Sequence, residues 1–252
     1  MARIRLDLAL VERGLSPSRE QAKRLIMAGE VLVGEEVVSK PGWLVRRDAV
    51  LRVRQPPRFV SRGGLKLEGA LDHFGIDLTG LVALDIGAST GGFTDCLLQR
   101  GAVRVFAFDV GTNQMVWKLR SDPRVVCREN FNVRHLQPAD LPEPIDFIVA
   151  DVSFISLTLV LPGPIAALKP GGQALVLVKP QFELSREEIG AGGIVRDPAL
   201  HEKACARLKT FVEGRPELRW LGLVESCIQG TDGNREFLAW FAKAAEEPHS
   251  AG

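Results

Sequence analysis

The residues best suited to chemistry stand at the ends of apolar runs. Asp85 opens the stretch Asp85-Ile86-Gly87-Ala88-Ser89-Thr90-Gly91-Gly92-Phe93-Thr94, and Asp109 closes the next apolar run, 24 positions after Asp85. Asp151 follows Ile145–Ala150, and Lys179 follows Ala174-Leu175-Val176-Leu177-Val178. Glycines let backbone approach a ligand closely and accept positive φ. A dinucleotide site would need G-x-G-x-x-G with a pyrophosphate on the helix N-terminus, and the glycines here are spaced differently. An acid at the end of the first strand suits a cationic ammonium group. A carboxylate at the end of the second can accept two ribose hydroxyls. Both demands are met by S-adenosylmethionine (AdoMet), with an ammonium at its methionine end and a ribose in its adenosine. The expected cofactor residues are Asp85, Gly87, Ala88, Ser89, Thr90, Gly91, Gly92, Phe93, Thr94, Asp109, Val110, Asn130 and Asp151.

An acid at the end of an apolar strand is costly unless it is paired or used. Asp151 and Lys179 therefore read as groups of the same crevice. Lys66, in Arg62-Gly63-Gly64-Leu65-Lys66-Leu67, and Glu236, in Gly233-Asn234-Arg235-Glu236-Phe237-Leu238, are further candidates. Residue type alone leaves each of these two open between site group and surface charge.

The elements that must hold these residues alternate. Strands are expected at Val82–Ile86, Val103–Asp109, Val125–Val126, Ile145–Ala150, Gln173–Val178 and Trp220–Ile228, with a strand or short helix at Glu236–Lys243. Helices are expected at Phe93–Arg100, Asn113–Leu119, Leu157–Leu168 and Pro198–Glu213. Continuous apolar strands separated by helices imply a mostly parallel sheet covered on both faces, a doubly wound α/β fold. Such sheets bind ligands beyond the carboxyl ends of their strands.

Ahead of this body lies a different pattern. Leu6–Arg13 reads as a helix stopped by Gly14, and Ser18 caps a second helix running to about Ala28. Glu30–Val38 has the alternation of a hairpin, and Ala49–Val53 that of a further strand. Gln55-Pro56-Pro57-Arg58 breaks the pattern, so the expected domains are residues 1–60 and 61–245.

Composition agrees with a globular protein: 252 residues, 46% hydrophobic and 25% charged. No apolar run reaches the ~18–20 residues of a membrane helix, and the N-terminus lacks a signal-peptide core. A cytoplasmic protein is expected. Cys96, Cys127, Cys205 and Cys227 form no C-x-x-C pair, and the His spacing suits no metal, so no metal is expected. Net charge is +1 overall, but residues 1–62 hold 13 Lys and Arg against 7 Asp and Glu. A basic head on a mildly acidic body suits an anionic partner.

Residues 62–243 resemble the FtsJ-type ribose 2′-O-methyltransferase family, a Rossmann-like class I methyltransferase fold. The whole chain resembles its TlyA (hemolysin A) group, which adds an N-terminal S4-type RNA-binding domain. The resemblance rests on Ser61–Leu67, Asp85–Thr94, Asp109-Val110-Gly111, Asp151–Leu157, Val178–Glu183 and Gly233–Leu238 in order, and on Arg5-Leu6-Asp7 and Ser18–Ala22 in the head. It implies a catalytic Lys-Asp-Lys-Glu set on Lys66, Asp151, Lys179 and Glu236. It also implies ribosomal RNA within ribosomal subunits as substrate, with a cytidine ribose as target; on that basis the 2′-hydroxyl is expected to take the AdoMet methyl in line, with Lys179 the candidate general base. With the resemblance, Arg3, Arg5, Arg19, Lys23, Arg24, Arg46, Arg47 and Arg62 are the expected RNA contacts. Competing readings are a methyltransferase for a non-RNA substrate, a membrane-active cytolysin, and a non-catalytic RNA-binding protein. No amphipathic or apolar stretch supports membrane lysis.

Overall fold

The computed structural model describes residues 3–54, 57–189, 192–230 and 233–245. It separates into two compact units, Met1–Arg58 and Phe59–Gly252. Gln55 and Pro56, in the expected break, lie outside the described residues.

The first unit holds β1 (Arg3–Arg5), α1 (Leu6–Glu12), α2 (Arg19–Met27), β2 (Val31–Val33), β3 (Glu36–Val37), β4 (Leu44–Arg46) and β5 (Leu51–Val53). Ser18 caps α2 by accepting from the Gln21 N–H at 3.2 Å. Strands β3, β2 and β5 form one small antiparallel sheet, while β1 and β4 pair separately. Leu6, Leu10, Ala22, Ile26, Val31 and Val45 give this unit its own core.

The second unit runs α3 (Gly63–Phe74), β6 (Val82–Ile86), α4 (Gly92–Gln99), β7 (Arg104–Phe108), α5 (Trp117–Arg120), β8 (Val125–Arg128), β9 (Ile145–Ala150), α6 (Leu157–Val160), α7 (Pro162–Ala167), β10 (Leu168–Val178), α8 (Pro180–Glu183), α9 (Pro198–Glu213), β11 (Leu218–Glu225) and β12 (Phe237–Lys243). Its sheet has the order β11-β12-β10-β9-β6-β7-β8. β8, β7, β6, β9 and β10 are parallel, and β12 is antiparallel to both its neighbours. Order reverses between β6 and β9, which is where a doubly wound sheet opens a crevice.

The apolar strands are explained by burial on both faces. Leu84, Ile86, Phe106, Ile148, Val176 and Phe241 pack on one side with α6, α7 and α9. Ala83, Val105, Phe147, Val149, Leu175 and Leu177 pack on the other with α3 and α4. Alternate side chains of each strand thus feed opposite layers.

Several elements differ from expectation. The single helix at Leu157–Leu168 is broken into α6 and α7 at Leu161-Pro162, because proline has no N–H to continue the first helix. Only Trp117–Arg120 is helical in the expected Asn113–Leu119 segment. Glu129 explains this by accepting from the backbone N–H groups of Asn113, Gln114 and Met115, which fixes a non-helical turn. Strand β10 begins at Leu168, with a register shift before Gln173. Glu236 stands just before β12 rather than in it. Helices α3 and α8, which the alternation did not reveal, both prove to carry or follow site residues.

Candidate active site

Strand register puts the chemistry together. Ile86 of β6 lies opposite Ala150 of β9, so the Gly87 turn and Asp151 leave the sheet side by side. Val178 of β10 lies opposite Phe237 of the antiparallel β12. Lys179, leaving one strand, and Glu236, entering the other, therefore reach the same edge of the sheet.

Helix α3 brings the last member. Asp95 of α4 accepts from the Val60 N–H at 2.9 Å and fixes the segment ahead of α3. A Cβ at Gly92 would lie 2.1 Å from Ser61 Oγ and 3.1 Å from Gly64 N. Glycine there lets the start of α3 sit directly against the start of α4. Lys66, on the first turns of α3, then reaches across to Glu236, 170 residues away, and forms a buried ion pair with it. Lys179 Nζ pairs with Asp151 Oδ1 at 2.6 Å and donates to Ser153 Oγ at 3.0 Å.

These four side chains line one cavity of about 410 Å³ together with Gly87, Ala88, Ser89, Thr90, Gly92 and Phe93. A second cavity of about 370 Å³ adjoins it, sharing Gly87, Ser89 and Asp151. Its wall adds Asp109, Val110, Gln114, Asn132, Val133 and Ile155. One chamber is rich in charge and the other combines apolar walls with Asp109, Asp151 and Arg134.

The glycine turn is shaped for close approach. Gly87 has φ +78°, and a Cβ there would stand 2.4 Å from the Asp151 carbonyl oxygen. Asp109 supports the same turn, accepting from Ser89 N–H at 2.8 Å and Gly111 N–H at 2.6 Å. Positive φ in non-glycine residues falls on Ser89, Asn113, Asn130 and Phe154, which follow β6, β7, β8 and β9 in turn. Backbone strain thus clusters at the carboxyl ends of the parallel strands.

Not every expected cofactor residue forms a wall. Asp85 is fully buried beneath the turn, where it accepts from the Thr94 hydroxyl at 2.6 Å. Its Oδ1 has no partner among the described residues, and burial, the largest influence, raises the carboxyl to about 7. Thr94 and Gly91 line neither cavity, and Asn130 is exposed beyond them. Asn132 and Gln114 occupy the wall instead. Both follow strand ends by a few residues, a position that strand boundaries alone do not resolve.

Sequence reasoning also passed over Ser153, Phe154 and Glu183. Phe154 is 89% exposed, and its ring lies 5.0 Å from that of Phe182. Glu183 is buried and accepts from Ser156 Oγ at 2.5 Å and from Leu157 N–H at 2.7 Å. It ties the end of α8 to the loop that carries Asp151. Burial pushes its carboxyl above the ordinary range, which those two hydrogen bonds oppose. All three lie within the motifs Asp151–Leu157 and Val178–Glu183, so the motifs themselves were the available signal.

The expected RNA contacts divide. Arg5 and Arg19 both bind the buried Asp7, at 3.0 and 2.9 Å, and the Arg5 hydrogen bond is the main cause of its carboxyl falling to about 2. Lys23 pairs with Glu20, Arg46 with Asp48 and Arg47 with Glu12. Arg62 donates to the Gln229 carbonyl at 2.8 Å beside the charged cavity. Arg3 and Arg24 make no ion pair among the described residues.

The model of FtsJ-like methyltransferases matches residues 59–243, the unit that holds both cavities. The chain belongs to the FtsJ-like methyltransferase family. It is thus a methyltransferase, and an S4 domain matches residues 4–51 of its first unit. The methyltransferase is 51% identical, over 93% of its length and 84% of the relative, to YqxC of Bacillus subtilis, named as a candidate rRNA methyltransferase. It is 42% identical, over 99% of its length and 93% of the relative, to the 16S/23S rRNA (cytidine-2′-O)-methyltransferase TlyA of Mycobacterium tuberculosis. A solved structure described as a candidate hemolysin from Streptococcus thermophilus superposes with TM-score 0.73 at 46% identity, covering 99% of this chain and 93% of that one. Among the described residues of the methyltransferase, no helix is long and apolar enough to cross a membrane.

Proposed function

We propose that this enzyme transfers a methyl group from AdoMet to the ribose 2′-hydroxyl of cytidine in ribosomal RNA. The observation that carries the reading is the convergence of the Lys66–Glu236 and Lys179–Asp151 pairs on one cavity beside the glycine turn. The relatives named above supply the cytidine and the ribosomal RNA.

The residues fit AdoMet. Gly87, Ala88 and Ser89 offer a backbone wall at the junction of the two cavities, and a Cβ at Gly87 would push the turn away from Asp151. Asp109 keeps acceptor capacity for ribose hydroxyls, and Val110, Val133 and Ile155 provide apolar wall for a purine. Asp151 lies at the junction of both chambers. Bound there, AdoMet supplies a methyl group on positively charged sulfur, open to an oxygen nucleophile.

The chain's own groups prepare that nucleophile. Asp151 and Ser153 hold Lys179 Nζ in place, where this amine is the group positioned to take the proton of the 2′-hydroxyl. Glu236 holds the Lys66 ammonium in the same cavity, where it orients the hydroxyl oxygen and stabilises charge that develops on it. The exposed Phe154 ring, 5.0 Å from that of Phe182, offers an aromatic face for the base of the target nucleotide. Fixing both reactants supplies much of the acceleration.

Lys179→Ala should lose methyl transfer to ribosomal subunits by at least about a hundredfold, with AdoMet affinity by calorimetry within a few-fold of the parent. Near-normal turnover in this variant would remove Lys179 from the mechanism.

A further inference from the structure

The first unit carries an exposed aromatic that its own core does not use. Trp43 is 51% exposed and Leu44 54% exposed. With Arg3, Lys40 and Gly42 they line an open depression of about 480 Å³. The turn presenting the indole is anchored throughout. Trp43 N–H donates to the Lys40 carbonyl at 3.0 Å, Leu6 N–H to the Trp43 carbonyl at 2.8 Å, and Asp7 N–H to the Pro41 carbonyl at 3.1 Å. The Arg5 guanidinium lies over Gly42 and is held there by Asp7. The backbone of the turn is therefore already fixed before anything docks on the ring.

The charges around the ring are distinctive. Arg5, Arg19, Lys23, Arg46 and Arg47 are each engaged by a carboxylate of this unit. Arg3 and Lys40, both exposed at the depression, have no such partner among the described residues. Among the described residues, no carboxylate lines the depression. An aromatic face sharing a depression with two cations that have no carboxylate partner among the described residues suits an unstacked base and its neighbouring phosphates. Every base has a π-face to stack, and its backbone supplies the anions.

We propose that Trp43 is a stacking platform for one unpaired nucleobase of the RNA, with Arg3 and Lys40 on the flanking phosphates. The proposal rests on the ribosomal RNA reading above and deepens it by placing a contact outside the catalytic unit.

Filter binding of the full chain to purified ribosomal subunits across a salt titration tests it, using the parent, Trp43→Ala, Trp43→Phe and the double variant Arg3→Ala/Lys40→Ala. Trp43→Ala should weaken binding by about 5- to 150-fold, the span of one base–aromatic stack, with its salt slope unchanged. Trp43→Phe should stay within a few-fold of the parent. The double variant should reduce the salt slope by about 1 to 2. AdoMet affinity should be the same in all four. Parent-like binding by Trp43→Ala would overturn this proposal alone, as would a Trp43-dependent preference for phosphatidylglycerol vesicles over subunits. A parent chain that bound AdoMet but not subunits would overturn the ribosomal RNA reading, and this proposal with it.

Discussion

Asp85 is the residue whose placement most changes what its type implied. As the acid at the end of the first strand it suggested a direct partner for a ligand ammonium. It lies instead beneath the turn, with one oxygen on Thr94 and the other unpartnered among the described residues. A carboxyl without compensating charge is costly to ionise in such a place, and its proton is held to about pH 7. Between about pH 4 and pH 7 the folded chain keeps a proton that the unfolded chain has lost. Stability therefore falls as pH rises through that window, and the deficit is complete above it. Asp85→Asn has no such titration. It should be more stable than the parent at pH 8 by up to about 4 kcal/mol and close to it at pH 4, as read by denaturant unfolding of the ligand-free chain. A constant difference across this range would contradict the assignment. The four charged candidates fared differently, since all line one cavity. Asp151 and Lys179 were legible because each ends an apolar strand. Lys66 and Glu236 were legible only through their motifs, since their pairing depends on residues 170 positions apart.

At the scale of elements, strand–helix alternation was enough to find the sheet, because strands buried on both faces are apolar throughout. It could not find α3, whose glycine-rich start breaks helical pattern, nor α8, which is a single turn begun by Pro180. Both matter to the site, α3 as the carrier of Lys66 and α8 as the bridge from Lys179 to Glu183. Glu183 caps the start of α6 through Ser156 and Leu157, and so fixes the loop between Asp151 and α6. Glu183→Ala leaves the Leu157 N–H without its acceptor and the Ser156 hydroxyl with only Thr158 Oγ1 at 2.8 Å to donate to, which costs about 1–3 kcal/mol. It should also lower kcat more than it alters AdoMet affinity. Glu183→Gln can still accept from Leu157 and donate to Ser156, so it should recover most of both. If the alanine and glutamine variants proved equally slow and equally unstable, the capping role would be wrong. Gly87→Ala should be more severe, because its backbone has positive φ and its Cβ would meet the Asp151 carbonyl. Thermal unfolding and AdoMet titration would both register it.

For the whole molecule, the charge split and the paired prolines pointed to two parts with different work. The two units have separate cores, one built on Leu6, Leu10 and Ile26 and the other on the faces of the seven-stranded sheet. Which cations face outward without a partner was not legible, because ion pairing in the first unit is set by tertiary neighbours such as Asp7 and Glu12. A chain beginning at Phe59 should still bind AdoMet while losing affinity for ribosomal subunits and much of its salt dependence. Unchanged binding to subunits would remove the first unit from recognition. The central claim is that this architecture methylates a ribose hydroxyl of ribosomal RNA. Mass-spectrometric mapping of ribosomal RNA from subunits incubated with the chain and AdoMet tests it most directly. The account predicts new 2′-O-methylcytidine at discrete positions, absent with Lys179→Ala and absent from DNA of the same sequence. Methyl groups on a base, on ribosomal protein, or nowhere at all would contradict it.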